Sequence, residues 1–108
     1  MNAIARSPTV DAEGYLVEPQ DWNEELAEAF ARQENIQLGE DHWDVLRFMR
    51  AYYEEHQIIP DARHAIKHLA ARFGTAARNK LFELFPYGYV KQACKIAGMK
   101  RPRGWSTG

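Results

Sequence analysis

The chain has 108 residues, 45% of them hydrophobic, a single cysteine and a formal net charge of -1. That length suits one domain over 1–108, that hydrophobic share suits a packed core rather than disorder, and one cysteine excludes an internal disulfide framework. No apolar run approaches the roughly 20 residues of a bilayer span, and Met1 to Val10 carry no apolar signal segment, so a cytoplasmic protein without a membrane role is expected.

In chain order, Ile4 to Val10 and Tyr15 to Val17 flank Asp11-Ala12-Glu13-Gly14, a turn whose glycine accepts positive φ. A short β-hairpin is predicted within residues 1–19. Asp21-Trp22-Asn23-Glu24 fits a capping box, with Asp21 as N-cap of a first helix burying Trp22, Leu26, Ala29 and Phe30. A second helix is predicted from Glu40 to His56, ended by Ile58-Ile59-Pro60. Asp61 is read as the cap of a third helix, stopped at Gly74. A short fourth helix covers Ala76 to Phe85, and a fifth runs from Val90 to Ala97 and ends at Gly98. Pro102 and two glycines make residues 99–108 a mobile basic arm. The fold class is mainly α: an orthogonal bundle of about five helices over 20–98, behind the hairpin. Helices three to five, joined by short turns, also suit a helix-turn-helix-like element with possible DNA contact.

Charge is divided unevenly. Residues 1–61 carry a net charge of -10 and residues 62–108 carry +9. Either one face seeks anions, or the halves neutralise each other across the fold. The last twenty residues hold Cys94, five basic residues and no acid. Lys91 and Lys95 bracket Cys94, and nearby cations favour the reactive thiolate. The competing reading makes Cys94 a small buried hydrophobe beside Ala93, Ile96 and Ala97. Lys100, Arg101, Arg103 and Trp105 form the arm's partner- or anion-binding set, with Lys91 and Lys95 behind them. His64 and His68 share a helix face but lack the further ligands zinc needs, and His42 reads as a surface residue at a helix start. No metal site and no cofactor are expected.

Several motifs together resemble the DsrC/TusE/DsvC family of sulfur-relay proteins, which includes the gamma subunit of dissimilatory sulfite reductase. They are Asp11-Ala12-Glu13-Gly14-Tyr15-Leu16-Val17, Asp21-Trp22-Asn23-Glu24, His42-Trp43, Tyr52-Tyr53-Glu54-Glu55, Leu84-Phe85-Pro86-Tyr87-Gly88, and Lys91-Gln92-Ala93-Cys94-Lys95-Ile96-Ala97-Gly98. The resemblance implies a helical bundle with a small hairpin and a C-terminal arm. It also implies a sulfite-reductase-type complex or a sulfurtransferase as partner. In that family an arm cysteine carries sulfur as a persulfide, and Cys94 matches a second cysteine in the last helix. The arm cysteine is expected eleven residues after Cys94, where this chain has Trp105. Tyr89 stands where the family usually has proline.

Indole offers one N–H donor and no sulfur, so Trp105 cannot take over that chemistry. The leading expectation is therefore a non-carrier paralogue with a regulatory or binding role. The alternative is sulfur relay through Cys94 itself, in dissimilatory sulfur metabolism or tRNA 2-thiouridine formation.

Overall fold

A computed structural model describes residues 8–101. Within them lie four α-helices: α1 (Glu24–Gln33), α2 (Glu40–His56), α3 (Ala62–Phe73) and α4 (Ala77–Leu84). A π-helix, Tyr89–Cys94, follows them. The expected fifth α-helix is thus wound more loosely at its start. One further helical turn stops at Gly98, whose φ is +75°.

Among the described residues, the N-terminal hairpin is reduced to its turn. Asp11 accepts from the backbone N–H groups of Glu13 and Tyr15, both at 2.9 Å, and Gly14 closes the turn at φ +90°. Beyond it, the pairing is a single antiparallel bridge between Val10 and Leu16. Pro8 has no N–H to extend the ladder, and Pro19 opens a 3-10 turn, Pro19–Asp21, on the other side. Residues 1–7, which held most of the predicted first strand, lie outside the described residues. The turn still matters, because it delivers Tyr15 and Leu16 into the core.

Pro19 also displaces the start of α1. Asp21 ends the 3-10 turn, and Asn23 is the cap instead, accepting from Leu26 N at 2.7 Å. Helices α2 and α3 match expectation. Asp61 caps α3 by accepting from His64 N at 3.2 Å, and Gly74 ends it at φ +57°. Leu46 and Met49 from α2, Leu69 from α3, Leu81 from α4 and Ile96 beyond the π-helix are all fully buried.

The acidic first half and the basic second half neutralise each other. Arg72 donates to Asp41 at 2.7 Å and to Asp44 at 3.1 Å, and Lys80 reaches Asp41 at 3.2 Å. Hydrogen bonds from these cations hold the Asp41 carboxyl below the usual carboxylate range. Lys95 pairs with Glu34, and Arg101 with Glu13 at 2.7 Å. The helix-turn-helix expectation finds no support here. A 3-10 turn, Gly74–Ala76, joins α3 to α4, and Arg72 and Lys80 spend their charge on α2 rather than presenting it to phosphate.

Gly98 is a closely fitted point. A Cβ there would collide with Trp22 Cδ1, at a φ that side chains resist. Gly74 shares the positive φ but has open space around it. Gly98→Ala should cost roughly 2–4 kcal/mol, combining backbone strain with overpacking. Gly74→Ala should cost about 1–3 kcal/mol, from strain alone. Urea unfolding of both variants checks this; equal losses would mean that the Trp22 contact relaxes freely.

Candidate functional site

Cys94 ends the π-helix and has no exposed surface. Of the two readings of this residue, the structure has the buried one. Burial pushes its thiol pKa far above the ordinary thiol range, so the sulfur keeps its proton. The bracketing lysines do not offset this. Lys91 is exposed, while the Lys95 ammonium turns to Glu34 at 3.4 Å and lies 5.1 Å from the Tyr15 ring centroid.

The surrounding segment is fixed from elsewhere in the chain. Gly88 precedes it at φ +111°. Tyr89, the departure from the family's proline, is buried and donates its hydroxyl to Pro60 O at 2.6 Å. Tyr15 Oη donates to Val90 O at 3.1 Å, and Trp22 Nε1 donates to Ile96 O at 2.8 Å. Arg50 donates to Ala97 O at 3.0 Å and to Pro19 O at 2.9 Å, with its guanidinium 4.8 Å from the Trp22 ring centroid. Burial raises the pKa of both tyrosines, and a thiolate at Cys94 would oppose the ionisation of each.

Beside this segment lies an open cleft of about 450 Å³, lined by Glu13, Tyr15, Glu34, Tyr87, Lys91, Lys95 and Arg101. Tyr87 is 76% exposed at its rim. The structure therefore brings three expected site residues, Lys91, Lys95 and Arg101, to one cleft. Lys100 is exposed, and Arg103 and Trp105 lie outside the described residues. Sequence reasoning passed over Glu34, Tyr15, Trp22 and Arg50 as partners of the Cys94 segment. The one available signal was Glu34, an acid at the end of a helix, where the dipole disfavours it.

The histidines do other work. His42 is half-buried, not a surface residue: its Nδ1 accepts from Gly39 N at 3.1 Å and its Nε2 donates to Leu84 O at 3.0 Å. That pairing needs the neutral ring, and burial lowers its pKa. His64 joins the Asp61 cap, while His68 turns to Asp44 at 2.9 Å. No group of three metal-ligating side chains occurs among the described residues.

The buried thiol has a consequence at alkaline pH. An unfolded cysteine ionises near pH 8.5, whereas the folded thiol stays protonated there. Above that pH the unfolded state binds fewer protons, so stability falls as pH rises. Tyr15 and Tyr89 add to the loss only above about pH 10. Urea titrations between roughly pH 8.5 and 10 should show wild-type stability declining and Cys94→Ala holding nearly level. Equal slopes would remove Cys94 as the cause.

Residues 3–105 match the family model described as DsrC like protein. The sulfurtransferase TusE of Yersinia pseudotuberculosis is 47% identical over 94 residues, covering 85% of this chain and 87% of that protein. The solution structure of Allochromatium vinosum DsrC is 43% identical with a TM-score of 0.80, covering 94% of this chain and 92% of that one. The oxidised gamma subunit of dissimilatory sulfite reductase from Archaeoglobus fulgidus is 31% identical with a TM-score of 0.80, covering 94% of each chain. With residues 3–105 matching that model, a relative 47% identical and two solved structures of the same fold, the chain belongs to the DsrC-like family of sulfur-relay proteins.

Proposed function

We propose that this protein acts in sulfur relay, accepting sulfane sulfur on Cys94 from a sulfurtransferase-type donor and passing it on. The observation that carries this reading is that Cys94 is the only thiol in a chain closely related to TusE sulfurtransferases. In the accepting step Cys94, once opened to solvent and so relieved of the burial that keeps it protonated, ionises and attacks the terminal sulfur of a donor persulfide, R–S–SH. The donor S–S bond breaks, a new S–S bond forms at Cys94, and the donor leaves as R–SH with the proton from Cys94. No external oxidant or reductant is needed. Partner docking over the cleft supplies access, with Lys91 and Arg101 meeting an anionic donor and Tyr87 giving apolar contact.

The complete burial of Cys94 favours a second reading. Here the protein keeps the family's docking surface and carries no cargo, with Trp105 at the position of the arm cysteine. It would then occupy a relay or sulfite-reductase-type partner as a regulator.

Intact-mass spectrometry after exposure to a persulfidated sulfurtransferase decides between them. The relay reading predicts the mass gain of one or more sulfur atoms, absent in Cys94→Ser. No gain, from a donor that loads an ordinary family member, would overturn it in favour of docking without cargo.

A further inference from the structure

Glu34 keeps a carboxylate where a helix disfavours one. It is the C-cap of α1, where unpaired carbonyls concentrate negative charge, and Asn35 beyond it turns to φ +59°. Both carboxylate oxygens are engaged by the segment that carries Cys94. Gln92 Nε2 donates to Oε1 at 3.2 Å, and Lys95 Nζ donates to Oε2 at 3.4 Å. The Lys95 and Glu34 side chains are only 17% and 20% exposed, so water screens the pair weakly. Gln92 is the one buried polar residue in the core of the described residues, and its carbonyl oxygen accepts from Tyr87 N at 2.9 Å. One carboxylate thus grips the chain two residues before Cys94 and one residue after it. Between those grips the backbone is π-helical, a rare winding that recurs at functional sites.

We propose that Glu34 is a positioning residue that latches the Cys94 segment shut: releasing its carboxylate from Gln92 and Lys95 lets residues 91–95 open locally toward the cleft and exposes the thiol, while the Val90, Ile96 and Ala97 carbonyls stay bonded to Tyr15, Trp22 and Arg50. The latch explains how a buried thiol can meet a partner without the fold being lost. An anionic persulfide donor entering the cleft competes with Glu34 for Lys95, and so favours the open form. The biological use of the latch rests on the relay reading above; its physical test does not.

The test is the rate at which iodoacetamide alkylates Cys94 in the full-length protein, measured across low urea concentrations. Glu34→Ala should react about tenfold faster than wild type, because a charge-assisted hydrogen bond and its neighbour are lost from the closed form. Its rate should be nearly flat in low urea, the mark of a local opening. Leu69→Ala, which weakens the core elsewhere, should react through global unfolding, with a rate that climbs steeply with urea. Should Glu34→Ala fail to fold, Lys95→Gln removes the ion pair alone and should give about a threefold gain, equally flat in urea. A wild-type rate in these variants, or a gain that climbs as steeply as in Leu69→Ala, would overturn the latch. A variant that alkylates quickly yet takes no sulfur from a persulfide donor would sink the relay reading and leave the latch standing. Sulfur uptake by wild type, with no change in alkylation in Glu34→Ala, would do the reverse.

Discussion

The buried main chain of residues 88–99 must find partners for its polar groups, and the rest of the structure is arranged around that need. A buried carbonyl or N–H without a partner costs about as much as a lost hydrogen bond. The segment's own helical turns pair part of that main chain, and the N-terminal half takes three further carbonyls. Tyr15 takes Val90 O, Trp22 takes Ile96 O and Arg50 takes Ala97 O. Tyr89 returns the favour at Pro60 O, in the loop between α2 and α3. Four separate parts of the chain are tied to the one that holds Cys94. The aspartate turn at residues 11–15 and the 3-10 turn at Pro19 serve chiefly to aim Tyr15 and Trp22 at it.

The same arrangement changes the chemistry of the thiol. Nearby lysines alone would suggest activation by charge. Desolvation wins instead, because the Lys95 ammonium is committed to Glu34 and Lys91 stays in solvent, while Cys94 has no exposed surface. Reactivity at this position is therefore governed by access rather than by a standing thiolate. Carrying sulfur on a packed segment, in place of an arm tip, requires that segment to move. The latch at Glu34 is where such movement begins at least cost, since it lies at the cleft and involves few groups.

Much of the fold was legible in the sequence. The limits of α2, the Asp61 cap and the stop at Gly74 follow from local rules that act within one turn. Asp21 was misread because its spacing to Glu24 satisfies a capping box, yet Pro19 commits the chain to a 3-10 turn first. Among the described residues the hairpin is a turn and one bridge, because a good turn signal says nothing about how far the strands continue. The π-helix was beyond reach: Val90 to Ala97 read as helical, but Tyr15, Tyr89 and Gln92 find their partners far away in sequence. The site divides similarly. The cations of the cleft were visible as a cluster, whereas the burial of Cys94 and the role of Glu34 depend on how the two halves of the chain meet.

The most direct measurement of the central claim is native-state hydrogen exchange of the backbone amides across low urea. If the Cys94 segment is a separately latched unit, amides in residues 91–95 will exchange through openings that depend little on urea and cost less than global unfolding. Amides of Val45 to Met49 in α2 will exchange only as the whole protein unfolds. Identical exchange energies and identical urea slopes in the two regions would contradict the account, because the thiol would then be reached only by unfolding the entire protein.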